Sequence, residues 1–220
     1  MNYLRLLPLL LLFLLSQTGY GQGRRRNFLE AATHGKYKPG WYTLRDGTRH
    51  AGRLRIWQTL TRNLVQVEKG KADPLNISPE ELRHFTMGAD SFVVARQGAV
   101  AGMPSTNPFG DVDFYRVVLT GKLQVLEHDQ LVPGQGGYGP AHSLTWALRP
   151  AGETDVVVLP TEETAFAQFT AGFFSDYPPL AQRIRAGLVG YADFKRIMYA
   201  YVFRREIEQV TYEQAATIFR

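Results

Sequence analysis

The chain has 220 residues, 45% of them hydrophobic and 12% aromatic, and a formal net charge of +5. That composition is globular and excludes disorder. The absence of cysteine excludes disulfides, a thiol nucleophile, a thiolate metal site and lipid attachment through sulfur.

In chain order, the first segment reads as an address rather than as fold. Arg5 precedes the apolar run Leu6 to Leu15, and small residues follow at Gly19 and Gly21. This is the pattern of a secretory signal peptide over residues 1–21, cleaved after Gly21. The alternative, an uncleaved anchor, is disfavoured because the run is about half of the ~20 residues a bilayer core requires, and Pro8 interrupts it. Cleavage would remove Arg5, lower the charge from +5 to +4 and leave 199 residues. A chain of that size can bury ~70% of its unfolded surface. No later stretch is apolar enough to span a membrane as a helix. Residues 22–39 are polar and basic and read as a flexible lead-in, with a short ordered piece at Asn27 to Ala32.

Residues 40–160 read as a β-rich body. In GWYTLRDGTRHAGRLRI, Tyr42, Leu44, Leu54 and Ile56 share even parity, while Arg45, Arg49, Arg53 and Arg55 share odd parity. Alternate residues of a strand point to opposite faces, so each run has an apolar and a basic face. A two-residue Asp46-Gly47 turn would pair Leu44 with Arg49 and mix the faces. A three-residue turn, Arg45-Asp46-Gly47, pairs Tyr42 with His50 and needs Gly47 at positive φ. Further strands are expected at Asn63 to Glu68, Leu75 to Ile77, through HFTM and DSFVVAR, at Asp113 to Thr120, Leu123 to Glu127, Ser143 to Arg149 and Asp155 to Leu159. Between them, Ser78, Pro79 and Glu81 form a capping box for one helical turn. The expected form is about eight strands in an antiparallel sheet or open barrel.

Residues 161–220 read as a helical segment of the same domain, packed on that body. Thr161 can cap a helix with Glu162 and Glu163 in its first turn and Phe166, Phe169 and Phe173 on one stripe. Pro178 and Pro179 start a second helix, ending near Ile184. Tyr191 to Glu208 reads as one amphipathic helix with Phe194, Ile197, Met198, Tyr201 and Val202 inward and Lys195, Arg196, Arg204 and Arg205 largely away from that face. Thr211 and Gln214 make a capping box for a tail helix. Strands followed by helices give the class α+β.

Few residues are arranged for chemistry. Gly134 to Gly139 lacks the following helix and Lys-Ser/Thr pair of a phosphate loop, and reads as a loop between strands. The histidines His34, His50, His84, His128 and His142 show no metal-ligand spacing. Glu127, His128 and Asp129 are adjacent, so a strand sends them to opposite faces, and they read as a solvated strand end. Asn107 to Asp113 has roughly calcium-loop spacing but lacks the closing Glu. Neither GxSxG nor SxxK occurs, and no carboxylate pair stands out. No metal and no cofactor is expected. The remaining candidate is an anion-binding strip of Arg49, Arg53 and Arg55 with Trp57 nearby, against the alternative that these arginines are only the wet face of a hairpin.

The hairpin GWYTLRDGTRHAGRLRI, the segment ISPEELRHFTMGADSFVV, and FFSDYPPLAQRI before YADFKRIMYAY resemble a group of small exported proteins of Bacteroidota. The resemblance implies export and carries over no activity and no catalytic residue. In that group the late segment often has a cysteine where Tyr177 stands here, which argues against a thiol role. The expectation is an exported protein, in the periplasm, on the outer envelope surface or extracellular, acting as a non-catalytic envelope or interaction module. Its partners would be an envelope protein or anionic glycan and not nucleic acid. The alternatives are a hydrolase of an envelope polymer acting through carboxylates, and an anionic glycan or lipid binder.

Overall fold

The computed structural model describes residues 33–97, 112–134 and 139–219. The expectations for the signal peptide, for the ordered piece at Asn27 to Ala32, for most of the calcium-type spacing and for residues 135–138 of the glycine-rich stretch lie outside them. Among the described residues eleven strands and four α-helices follow one another: β1 (Thr33–His34), β2 (Lys38–Leu44), β3 (Arg49–Gln58), β4 (Asn63–Lys69), β5 (Ala72–Ile77), β6 (Leu82–Met87), β7 (Asp90–Gln97), β8 (Val112–Leu119), β9 (Leu123–Val132), β10 (Ala141–Pro150) and β11 (Asp155–Val158), then α1 (Glu163–Thr170), α2 (Pro178–Arg185), α3 (Phe194–Phe203) and α4 (Tyr212–Ala216). The protein is an α+β fold: a β-rich body followed by helices. None of the described helices is long and apolar enough to cross a membrane.

The β2–β3 hairpin shows how parity fixes register. Tyr42 faces His50 and Thr43 faces Arg49. Leu44 N–H donates to Thr48 O, and Gly47 N–H donates to Leu44 O. Gly47 sits at φ +93 and closes the three-residue turn. The Asp46 carboxylate accepts from Thr48 N–H at 2.7 Å. Even residues turn inward: Tyr42 and Leu54 are buried. Gly40 serves a close approach, because a Cβ there would run into Thr86 O on β6.

Neighbouring strands run in the order β11-β10-β9-β8-β7-β6-β2-β3-β4-β5, with β1 beside β3. All adjacent pairs are antiparallel, and one further pairing closes the structure. β11 returns to β7 in parallel, with Asp155 opposite Arg96 and Val156 opposite Gln97. Strands β7 to β11 therefore form a five-stranded ring. So small a ring leaves little interior, which suits its apolar core of Ala95, Leu126, Ala147 and Val156 around the large side chain of Tyr115. Outside the ring, β2 to β6 fold over β7 and β8 and bury Tyr42, Leu54, Val65, Val67, Ile77, Leu82, Phe85, Phe92 and Phe114. Phe85 stacks on Phe92 at 4.5 Å and meets Phe114 edge-on at 5.2 Å.

The helices cover a different stretch of the ring's outer face. Leu123 and Val125 of β9 and Leu148 of β10 meet Phe166, Phe174, Leu180, Ile184, Phe194, Ile197 and Met198. Local signals set the helix ends. Glu162, rather than Thr161, caps α1, accepting from Thr164 N–H and Ala165 N–H. Its longer side chain reaches two amides at once. Pro178 and Pro179 open α2. The Thr211–Gln214 capping box forms in both directions.

The segment Tyr191 to Glu208 is not one helix. A 3-10 turn at Tyr191–Asp193 leads into α3, which ends at Arg204 with φ 50, a left-handed residue. Contacts hold Arg204 there: Nη2 donates to the Asp176 carboxylate at 2.7 Å, Nη1 to Asp176 O, and the guanidinium lies over the rings of Tyr177 and Tyr201. Arg196 also departs from its expected solvated place. It donates through Nε to Val210 O, through Nη2 to Ile207 O and through Nη1 to Asp193, and lies over Tyr212. It clamps the tail onto α3.

Arg204→Ala should therefore destabilise more than Arg204→Gly, because both lose the Asp176 contact but only alanine keeps the left-handed cost of about 1 kcal/mol. Urea midpoints of the two variants check this, and equal midpoints would deny that Arg204 is held against its backbone preference. Asp193 generates a pH prediction. Burial opposes its ionisation, but hydrogen bonds from Tyr212, Arg196 and Gly190 outweigh burial and hold its carboxyl below the ordinary value. A lowered folded-state value contributes stability above the unfolded value of about 3.9 and loses it as pH falls through the folded value. Acid unfolding below about pH 4 should be less steep in Asp193→Asn than in the parent.

Candidate functional site

The face of β9 that carries Leu123 and Val125 beneath the helices carries Glu127 and Asp129 farther along, by the two-residue period of a strand. Across from them stand Phe114 and Arg116 of β8. The folded-over strands supply Lys38, Arg55, Ile56, Gln58 and Met87, and β7 supplies Phe92. Together they line a groove of about 510 Å³ that His142 completes from β10. Ile56, Met87, Phe92 and Phe114 give it an apolar part, and the rest is charged or polar.

Most polar groups in the groove already have partners. Arg116 pairs with Glu127, its cross-strand neighbour, through Nε and Nη2 at 2.9 Å each, and reaches Asp90 at 3.5 Å. Lys38 reaches Asp90 from the other side at 3.8 Å. Asp129 contacts His142 Nδ1 at 2.8 Å, and both side chains are exposed to nearly half their surface. Gln58 donates to Asp129 O, tying β3 to β9. Apart from Lys36 and Arg55, which have no carboxylate partner among the described residues, the charges of the groove are paired with one another or with Asp90 beside an apolar surface.

The middle residue of the same triplet goes the other way. His128 is 2% exposed and points into the ring, so the Glu127 to Asp129 stretch is the middle of a ten-residue strand and not a solvated strand end. Asp113 meets it there. Asp113 accepts from Asn63 Nδ2 on both oxygens at 3.0 Å and from Phe114 N–H at 2.7 Å, and its Oδ2 lies 2.8 Å from His128 Nε2. The His128 ring stacks on Tyr115 at 4.5 Å. Burial, with the Asp113 charge as second cause, pushes the Tyr115 phenol up from its ordinary value. Tyr115 OH and Asn63 Oδ1 find no partner among the described residues. Asp113, His128 and Asn63 are all buried, and the network ties β4, β8 and β9 together.

The arginine strip is placed on the outer face of the hairpin. Arg49 lies over the Trp41 ring at 4.7 Å. Arg53 pairs with Glu68 at 2.9 Å and donates to Tyr37 O. Arg55 lies over the Tyr37 ring and donates to Gln66. Trp57 is half-buried, with Arg62 at 5.8 Å. Each guanidinium has its own neighbour, and of the four residues only Arg55 reaches the groove. Sequence reasoning missed Arg116, Glu127, Asp129 and His142. The available signal was the same-face spacing of Glu127 and Asp129, and the missing one was the register that brings Arg116 opposite Glu127.

Among the described residues no three His, Asp or Glu side chains are placed to hold a metal ion. Compared with family models, with curated proteins and with solved structures, the chain matches none.

Removing the Asp113 carboxyl leaves the buried groups of Asn63, Phe114 and His128 without their partner. Asp113→Ala should cost about 2–4 kcal/mol in urea unfolding, since each buried polar group left unsatisfied costs about 1–3 kcal/mol. A loss under about 1 kcal/mol would show that Asn63 and His128 do not depend on that carboxylate.

Proposed function

We propose that the protein is an exported, non-catalytic binding module of the cell envelope, taking its ligand in the groove between the folded-over strands and β9. One observation carries this reading: the groove sets Ile56, Met87, Phe92 and Phe114 beside charges of both signs, most of them already paired within the protein. Such a lining suits a ligand with an apolar body and a polar handle, since a few placed polar groups orient what the apolar surface holds. Export rests on the N-terminal pattern of Arg5, the leucine-rich run and Gly19-x-Gly21, and on the resemblance to small exported proteins of Bacteroidota.

The hydrolase reading has one observation in its favour. Glu127 and Asp129 point into one groove, their Cα atoms about 7 Å apart as expected for i and i+2 on a strand. Yet Glu127 is held by Arg116 and Asp129 by His142, and neither is left free to meet a substrate. Binding accounts for the paired arrangement better than catalysis does.

Anilinonaphthalene sulfonate joins an apolar ring system to an anionic group and is a direct probe. It should bind the folded protein saturably at one site, with enhanced fluorescence. Ile56→Lys, at a half-buried groove position, should abolish the enhancement while circular dichroism stays native. A signal that never saturates, or one unchanged in that variant, would remove the groove from consideration. Mass spectrometry of the protein recovered from the envelope fraction should give Gln22 as its first residue, and an intact Met1 would end the export reading.

A further inference from the structure

A second opening lies at the other side of the fold, where β7 changes partners. β6 pairs with β7 as far as His84 opposite Val93, and β11 takes over from Asp155 opposite Arg96. Between them, Val94 and Ala95 have no described strand on that edge. The diverging strands leave an open notch of about 950 Å³. Four arginines line it: Arg45 and Arg83 from the β6 side, Arg96 from β7 and Arg149 from β10. Glu153, Thr154 and Asp155 form the rim at the β11 side.

These arginines differ from those of the hairpin. None of the four makes an ion pair with a described carboxylate; Arg83 donates to Arg45 O and Arg149 to Gln124 Oε1, both at 2.8 Å. Those contacts fix the two side chains through Nε and leave the outer guanidinium nitrogens without an acceptor among the described residues. Arg149 is partly buried, and burial pushes its guanidinium below the ordinary value with no counter-charge to offset it. A guanidinium withdrawn from water without a carboxylate is unfavourable, and an incoming anion relieves it.

We propose that the notch binds an acidic sugar bearing two or more anionic groups. The four arginines would take its phosphate or carboxylate groups, since the planar fork matches such anions in bidentate fashion. Several cations spread around an open notch suit more than one anionic group. The carboxylates of Glu153 and Asp155 would repel a bare polyanion but accept hydrogen bonds from sugar hydroxyls, and Thr154 adds a further polar group. This site is separate from the groove and does not depend on the ligand proposed there.

Calorimetric titration with fructose bisphosphate, with pyrophosphate and with neutral maltotetraose tests the assignment. Fructose bisphosphate should bind, pyrophosphate more weakly and maltotetraose not at all. Arg96→Gln and Arg149→Gln should each weaken the sugar by about tenfold or more, the size expected for a lost charge-assisted hydrogen bond. Arg96 is exposed, so its variant reports on binding without a question of folding. Arg49→Gln on the hairpin and Ile56→Lys in the groove should leave the affinity within twofold. Raising the salt should weaken binding, as screening requires. No binding of the bisphosphate at millimolar concentration, equal affinity for pyrophosphate, or affinity unchanged in both notch variants would overturn the proposal.

Discussion

One strand serving three others organises this fold. β7 gives one edge to β8 and divides the other between β6 and β11. The parallel pairing with β11 closes the ring, and the handover from β6 to β11 diverts the remaining strands outward and over it. Covering and ring then share β7 and β8 as a common wall, Phe92 and Phe114 serving the covering while Ala95 and Tyr115 serve the ring. The two openings both arise from this division. The notch is the handover itself, and the groove is where the covering stops short of β9. Strand topology opens both, although turns contribute to each lining, Arg45 and Glu153 at the notch among them.

The buried Asp113–His128 pair bears on the same closure. Taking an acid and an imidazole out of water is costly, and the donors from Asn63 and Phe114 offset part of that cost rather than making the pair a net source of stability. What the pair does supply is register. Slipping β8 by one residue would turn Asp113 and Tyr115 outward and drive Phe114 and Arg116 into the ring. Arg116 would then be buried away from Glu127 and Asp90, and Asn63 and His128 would lose their acceptor. A ring with so many small apolar residues discriminates poorly between registers by packing alone. The polar contacts make the wrong register expensive.

Much of the fold was legible because it is written in short-range rules. The three-residue turn at Arg45-Asp46-Gly47, the Pro79 turn, the proline start of α2 and the Thr211–Gln214 box each follow from side chains a few positions apart. The errors are also local in origin. Tyr191 to Glu208 reads as one helix because nothing nearby announces a stop. The stop is a tertiary one, since Arg204 takes a left-handed conformation only with Asp176, Tyr177 and Tyr201 around it. Arg196 looks solvated on a helical wheel for the same reason, as its acceptors are carbonyls of a later turn. The groove was hidden more deeply. Its charges come from β2, β3, β8, β9 and β10, and a register shift between Val117 and Leu119 separates the turn from the Arg116–Glu127 pair. Counting back from a three-residue Thr120-Gly121-Lys122 turn would set Arg116 opposite Leu126 rather than Glu127.

Charge illustrates how little a sum conveys. A net +5 is compatible with an evenly wetted surface, and the basic face of the hairpin is close to that: Arg49 over Trp41, Arg53 against Glu68, Arg55 over Tyr37. There the arginine stems cover apolar surface and the heads are matched. Around the notch the same residue type makes no ion pair with a described carboxylate, although Glu153 and Asp155 stand on the rim, and one of its members is partly withdrawn from solvent. Matched arginines have their charge answered within the chain, whereas unmatched ones leave it to water or to an incoming anion, at a cost only where the guanidinium is withdrawn from solvent, as at Arg149. A fold that keeps four of the latter together at a strand junction holds a standing preference for negative charge at that place and not at the hairpin, although the hairpin is the more basic stretch when read as sequence.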